Sequence, residues 1–371
     1  MRTAAGHALT VVFAGGGTGG HLYPAIAVAE ELRRIRPDTE VVFVGTRGKI
    51  EARVVPQHGF RFEPIWISGL RRSFAPSNLL FPVKVAVALA QSAAILRRVG
   101  ARAVLGTGGY VSGPVLGAAV AMGIPTLLHE SNSEPGITTR MLAARVDEVH
   151  VTFERTLARL PGVRGAHVTG NPTRGAIGTV SRTEGAEALG LRADLPVLLV
   201  MGGSLGAASI NRAVARLLPA LTAAGLQVLW QTGKTDEEAM RSAAAGLAGV
   251  RVSAFIDRME CAYAAADLAV CRAGATTLAE LARAGLPAVL VPYPLAAADH
   301  QTENARAMQD AGAALMVPDA GLETGLGPAI ERLMRDPESR RTMGTRARTL
   351  GKPDAAAVLA RAVLARAERR P

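Results

Sequence analysis

Two short apolar runs, each leading straight into a glycine-rich turn, set the limits on how this chain folds. Thr10–Ala14 runs into Gly15-Gly16-Gly17-Thr18-Gly19-Gly20, and about half a chain later Val197–Met201 runs into Gly202-Gly203-Ser204-Leu205-Gly206-Ala207. Each reads as strand, glycine loop, helix. Further β-branched runs at residues 41–45, 103–105, 149–152, 227–231, 268–271 and 288–291 alternate with Ala/Leu/Arg stretches. Such alternation specifies βαβ units, and hence parallel sheets covered by helices on both faces. Two openings of this kind in 371 residues predict two Rossmann-like, doubly wound α/β domains facing each other. A Pro/Gly/polar cluster over residues 171–183 sets the boundary, giving domains over 1–172 and 173–353, with an Ala-rich helix over 354–371 packing back on the first. Val358, Leu359, Val363 and Leu364 supply its apolar side, and Arg361, Arg366, Arg369 and Arg370 a solvated basic face.

Lys plus Arg outnumber Asp plus Glu by 42 to 31, a formal charge of +11, while 49% of residues are hydrophobic. The second figure excludes a disordered basic tail, because disorder needs low hydrophobicity as well as charge. The first favours a polyanionic partner: nucleic acid, anionic lipid or a phosphate-bearing small molecule. At 4% aromatic the chain has few rings for stacking on bases, which disfavours a single-strand binder. Cys261 and Cys271 make neither a disulfide framework nor a metal-ligand spacing, and read as thiols in a reducing cytosol. The start of the chain passes from Arg2 and His7 through Thr10–Ala14 into glycines, without a signal-peptide core. Residues 103–128 carry no formal charge and are long enough to cross a bilayer. Glycines and prolines divide them instead into a strand at 103–105, a glycine loop at 106–109, a helix over about 114–122 and a strand at 126–128.

Gly15, Gly17 and Gly20 satisfy the dinucleotide fingerprint G-x-G-x-x-G, but the second strand ends in Gly45-Thr46-Arg47, with no acid for ribose hydroxyls. Arg47 leaves NADP as a minor reading. Gly233-Lys234-Thr235 lacks the first glycine of a Walker A loop, since Val228 stands there. What the loops share is backbone amides and a helix N-terminus, a setting for anions. Arg272-Ala273-Gly274-Ala275-Thr276-Thr277 is a third such place, with Glu280 a turn further on. That carboxylate either accepts the ribose hydroxyls of a nucleotide or complements the helix dipole, and the residues alone leave both open.

Taken together, Gly17-Thr18-Gly19-Gly20-His21, Thr107-Gly108-Gly109-Tyr110-Val111-Ser112-Gly113-Pro114, His129-Glu130-Ser131-Asn132, Gly170-Asn171-Pro172-Thr173-Arg174, Gly202-Gly203-Ser204, Cys271-Arg272-Ala273-Gly274-Ala275 and Asp299-His300-Gln301-Thr302-Glu303-Asn304 stand in an order that resembles the MurG family. These are the bacterial cell-wall transferases that add GlcNAc to lipid I to give lipid II. The resemblance implies a GT-B fold, two Rossmann-like domains across a cleft, with lipid I bound by the first and UDP-GlcNAc by the second. It implies that Ser204 and its loop hold the diphosphate, that the Ile256 backbone reads the uracil edge, and that Ala275, Thr276, Thr277, Leu278, Ala279 and Glu280 bind phosphates and ribose. Gln301 and His300 would take GlcNAc hydroxyls, and Asn132, Arg174, Thr18, Gly19 and Gly20 would complete the donor site. Where the family usually has Gln after Gly-Gly-Ser this chain has Leu205, so any side-chain amide contact from that position is lost.

Glycosyl transfer needs a base for the attacking hydroxyl and charge stabilisation for the departing diphosphate. No Asp-x-Asp motif is present to hold a metal, so no cofactor is expected and loop amides, helix ends and Arg174 would carry the leaving-group charge. The resemblance implies inversion, with the MurNAc C4 hydroxyl attacking directly. His21 is the first candidate base, with Glu130 and Tyr110 as rivals; equally, His21 orients the loop or binds acceptor phosphate. The acceptor's polyprenyl chain implies a peripheral enzyme on the anionic cytoplasmic face of the inner membrane, beside the wall-synthesis and division machinery. Residues 66–98 suit that surface: Trp66, Leu70, Phe74, Leu79, Leu80, Phe81, Val83 and Val85 alternate with or adjoin Arg71, Arg72, Lys84, Arg97 and Arg98. An ordinary core helix over about 83–98 is the plainer reading of many of them. A GT-B relative with another acceptor and a UDP-GlcNAc 2-epimerase remain alternatives, while no nucleic-acid module is present.

Overall fold

A computed structural model describes residues 9–69, 80–163, 165–203, 205–296 and 299–369. They form two compact units, one built from residues up to Arg174 together with those from Lys352 onward, the other from Gly175–Gly351. In the first, the strands are β1 (Thr10–Ala14), β2 (Glu40–Thr46), β3 (Arg61–Ile65), β4 (Ala103–Gly106), β5 (Thr126–Glu130), β6 (Glu148–Val151) and β7 (Ala166–Val168). Among the described residues they make one parallel sheet in the order β3-β2-β1-β4-β5-β6-β7. Its helices are α1 (Gly19–Ile35), α2 (Ile50–Gln57), α3 (Phe81–Arg98), α4 (Gly109–Ala121), α5 (Ile137–Leu142) and α6 (Glu154–Leu157).

β1 shows why the sheet is covered on both sides. Every residue in it is buried, and the two-residue period sends Val11 and Phe13 to one face, among Leu22 and Ile26 of α1. Val12 and Ala14 go to the other, among Val115 and Leu116 of α4. A strand apolar on both faces is stable only between two helical layers.

The second unit repeats the plan. α7 (Arg182–Ala188) precedes β8 (Val197–Met201), α8 (Ala208–Ala223), β9 (Gln227–Gln231), α9 (Glu237–Ala243), β10 (Val250–Ser253), α10 (Met259–Ala265) and β11 (Leu268–Cys271). α11 (Ala275–Ala284), β12 (Ala288–Leu290), α12 (His300–Asp310), β13 (Ala314–Met316), α13 (Leu322–Arg335) and α14 (Pro337–Leu350) follow. The sheet order is β10-β9-β8-β11-β12-β13, again parallel. The last helix, α15 (Ala355–Glu368), packs on α1 of the first unit. Its Leu359, Ala360, Val363, Leu364 and Ala367 enter the core that holds Phe13 and Leu22.

Two local expectations change, at Val358 and at the start of α4. Val358 does not share the apolar side of α15: it is 42% exposed while Leu359 is fully buried, because adjacent helical residues lie about 100° apart. α4 starts at Gly109, not near Pro114, which sits inside it. Its entry is held locally, since the Ser112 hydroxyl accepts the Gly108 N–H at 3.1 Å and lies 2.6 Å from the Ala14 carbonyl. α3 buries Ala88, Ser92, Ile95 and Leu96 and leaves Val83 and Leu89 exposed, with Leu80 and Trp66 also exposed nearby in sequence. Leu70, Arg71, Arg72, Phe74 and Leu79 lie outside the described residues.

Candidate active site

In each sheet the strand order reverses once, between β1 and β4 and between β8 and β11. Open α/β sheets bind ligands outside the carboxyl ends of the strands at such a switch point. The glycine loops stand there: residues 15–18 after β1 and Thr107-Gly108 after β4 in one unit, 202–207 after β8 and 272–274 after β11 in the other.

In the first unit His21, on the opening turn of α1, donates its Nδ1 hydrogen to the Thr107 carbonyl at 3.1 Å, while Thr107 Oγ1 donates to the His21 carbonyl at 2.8 Å. A carbonyl can only accept, so Nδ1 carries the hydrogen and the neutral ring has its lone pair on Nε2. The ring rests on Gly108-Gly109. A Cβ on Gly108 would stand 2.7 Å from Nδ1, and the residue has φ +99°, so both space and backbone demand glycine. Tyr110 reaches Thr46 Oγ1 at 3.5 Å, and its ring lies against Gly17. Arg174 places its guanidinium 5.3 Å over the Tyr23 ring of α1. Thr18 is the N-cap residue of α1 without a side-chain cap, so the Thr18-Gly19-Gly20 turn leads with backbone. Thr18, Gly19, Gly20, His21, Tyr110 and Arg174 thus gather around one loop. Glu51, which the sequence did not single out, fixes that loop from beneath: fully buried, it accepts from Gly17 N and Thr46 N, each at 3.0 Å.

Glu130 ends β5 with its buried carboxylate committed to the next turn. It accepts from Asn132 N at 2.9 Å, Asn132 Nδ2 at 3.3 Å, Gly136 N at 3.0 Å and Thr139 Oγ1 at 2.6 Å. Beside it, His129 donates Nε2–H to the Gly170 carbonyl at 3.0 Å. Burial pushes the His129 pKa down to about 4, with the Gly170 bond opposing and His150 and His21 adding to the fall, so the ring is neutral near pH 7.

In the second unit the first helical bond of α11 runs from Leu278 N to the Gly274 carbonyl, and the amides ahead of it, at Ala275, Thr276 and Thr277, point out of the helix end. This end suits a phosphate. Leu278, Ala279 and Glu280 continue the same helix, and Glu280 lies beyond its first turn, where a dipole role fades. Its carboxylate is instead held by the Tyr263 hydroxyl at 2.9 Å. The Ile256 amide is already donated to Gln231 Oε1 at 2.9 Å. His300 and Gln301 open α12 directly after Asp299, the one non-glycine with a left-handed φ, +51°, among the described residues. Gln301 Oε1 accepts from Ala273 N at 3.2 Å and Tyr293 N at 3.0 Å, and Asn304 Nδ2 holds the Ala273 carbonyl at 3.2 Å. Leu205 projects outward, 87% exposed, and Ser204 lies outside the described residues. Among the described residues no group of three or more His, Cys, Asp or Glu side chains is placed to hold a metal.

Gln231 and Glu51 act on these loops, and Tyr263 on Glu280, without standing out in the sequence, because each works through a partner distant along the chain, while Asn304 closes the Asp299–Asn304 motif and holds Ala273.

Residues 11–151 match the glycosyltransferase family 28 N-terminal domain and residues 197–359 its C-terminal domain. The chain is 45% identical, over all of its own length and 99% of the relative's, to the "UDP-N-acetylglucosamine--N-acetylmuramyl-(pentapeptide) pyrophosphoryl-undecaprenol N-acetylglucosamine transferase" of Salinibacter ruber. Among solved structures it resembles Acinetobacter baumannii MurG, with a TM-score of 0.72 and 32% identity over 96% of this chain and 99% of that one. The UDP-GlcNAc 2-epimerase of Neisseria meningitidis, at a TM-score of 0.68 and 13% identity over 96% of this chain and 99% of that one, shares the fold alone. With GT-B architecture in both units and kinship along its whole length, the chain belongs to the MurG family of glycosyltransferase family 28.

Proposed function

We propose that this protein transfers GlcNAc from UDP-GlcNAc to the C4 hydroxyl of MurNAc in lipid I, inverting the anomeric carbon and releasing UDP and lipid II. Identity of 45% along the entire chain to a transferase of that printed name carries the reading. In it the first unit binds lipid I and the second binds the donor.

The C4 oxygen forms its bond to GlcNAc C1 as the bond from C1 to the diphosphate breaks, and the hydroxyl proton passes to His21 Nε2. Support for His21 over its rivals is geometric. Its tautomer is set by Thr107, whereas both Glu130 oxygens are engaged by the turn they hold. The departing diphosphate takes its charge stabilisation from the loop at 202–207, the α11 helix end and Arg174. Gln301 and His300 face the sugar, Glu280 the ribose, and Asn132 with the Thr18-Gly19-Gly20 turn completes the site in this reading. UDP release on mixing with UDP-GlcNAc and a lipid I analogue, undiminished by EDTA, is the test. Release that stops with EDTA overturns the metal-free account.

No helix among the described residues is long and apolar enough to cross a membrane. The reading places the enzyme peripherally on the cytoplasmic leaflet through Trp66, Leu80, Val83 and Leu89, with Lys84 lying 5.8 Å over the Trp66 ring and Arg97 and Arg98 ending α3. Co-sedimentation with anionic but not zwitterionic vesicles, weakened by Leu80→Ser/Val83→Ser, supports it. Binding indifferent to lipid charge and to those substitutions overturns it.

A further inference from the structure

Gln231 is the last residue of β9, and its side chain is only 4% exposed. Its Nε2 donates to the Gly203 carbonyl at 3.0 Å, and its Oε1 accepts from Ile256 N at 2.9 Å. The amide has no freedom to flip, because Gly203 O can only accept and Ile256 N can only donate. One buried side chain therefore joins the glycine loop after β8 to the segment after β10.

The surrounding backbone makes this end of β9 a common strut. A side chain at Gly206 would strike the Thr232 carbonyl, so the glycine loop lies directly on the residues that follow Gln231. Asn211 Nδ2 holds that same carbonyl at 2.8 Å and takes the Trp230 indole N–H on its Oδ1 at 3.1 Å. Gly233 N donates to Ala254 O at 3.1 Å, which ties the strut to the approach to Ile256.

We propose that Gln231 is a positioning residue for the donor nucleotide, setting the loop that receives the diphosphate against the loop that receives the base. The role rests on the assignment of the second unit as the donor site. A nucleotide spans both loops, so their spacing governs its affinity, whereas a ligand touching one loop is less sensitive to it. The two bonds also have separable functions: the acceptor bond seats Ile256, and the donor bond seats Gly203.

Two variants divide them. Gln231→Glu keeps an oxygen for Ile256 N but sets a carboxylate against the Gly203 carbonyl; Gln231→Met, similar in shape, removes both bonds. Calorimetry on the full-length protein with UDP and with uridine reads the effect. Gln231→Glu is expected to weaken UDP by about 10- to 100-fold, the range for a lost buried hydrogen bond, and uridine by less than about threefold. Gln231→Met is expected to weaken both by about tenfold or more. In turnover, both raise the UDP-GlcNAc KM while kcat at saturating donor stays within about threefold. For Gln231→Glu, a purely structural role would instead lower the melting temperature and leave the ratio of UDP to uridine affinity unchanged, which overturns the proposal. Variants that bind UDP within about threefold of wild type also overturn it. Wild-type protein that binds no UDP overturns the donor assignment itself. Where the buried charge of Gln231→Glu prevents folding, Gln231→Met carries the test through a raised UDP-GlcNAc KM at near-normal kcat; a fall in kcat with donor KM unchanged overturns the proposal.

Discussion

His21 and Thr107 hold each other through two reciprocal hydrogen bonds, imidazole Nδ1 to the Thr107 carbonyl at 3.1 Å and Thr107 Oγ1 to the His21 carbonyl at 2.8 Å. The pairing turns a residue on the first turn of α1 into a ring of fixed tautomer. His21→Ala is expected to lower kcat by about 10²- to 10⁴-fold, the usual worth of a general base, with a far smaller change in donor KM. Steady-state kinetics with both substrates varied will show it. A near-normal kcat removes the base assignment.

Gly108→Ala is expected to reproduce much of that loss without touching His21. The added methyl would stand 2.7 Å from Nδ1, on a backbone at φ +99°. The ring must move or the loop must refold. Under the proposed reading UDP is held mainly by the second unit, so its binding should remain near wild type, Gly108 lying in the first. Wild-type kcat in this variant would show that the seat of the ring has no bearing on turnover.

The strands that were legible from the sequence and those that were not divide on burial. β1, β2, β4, β5, β6, β8, β9, β11 and β12 are interior strands built around apolar residues, interrupted in β6 by His150. β3, β7, β10 and β13 are the four sheet edges. An edge strand such as Arg-Phe-Glu-Pro-Ile in β3 is half-exposed and needs no such run. At the site the same divide holds. Glycine loops and His21 stand out in sequence because their chemistry is local. Glu51 and Gln231 do not, since each acts on backbone distant along the chain, Glu51 on Gly17 N 34 positions away and Gln231 on Gly203 O and Ile256 N, 28 and 25 positions away. Val358 reads as core in the sequence for a third reason: an Ala-rich helix has a wide apolar arc, and only packing on α1 selects which residues of it are buried.

Stability should fall as pH drops from about 6.5 to 4. The His129 pKa, ordinarily 6.5, is pushed down to about 4 by burial, so the unfolded chain binds the proton that the folded one refuses. The contribution is fully present above pH 6.5 and is lost as pH falls to the folded value, about 3 kcal/mol in all. His150, also lowered by burial, acts with the same sign. Urea unfolding across this range should show a shallower slope in His129→Gln than in wild type. Equal slopes would contradict the buried neutral assignment.

Two neighbours on α15 should respond in opposite ways. Leu359 is fully buried against α1, and Leu359→Ala should cost about 2–5 kcal/mol. Val358→Ala, at a position 42% exposed, should stay within about 0.5 kcal/mol. Chemical denaturation of both variants decides, and comparable losses would mean that the helix packs by a different face.

The most direct test of the whole account is the product itself. Incubated with UDP-GlcNAc and a lipid I analogue, the protein should yield UDP and a β-1,4-linked GlcNAc-MurNAc lipid in equal amounts by mass spectrometry and proton NMR, with UDP-GalNAc a much poorer donor. Consumption of UDP-GlcNAc without the disaccharide, appearance of ManNAc in the absence of acceptor, or equal turnover of UDP-GalNAc would contradict it.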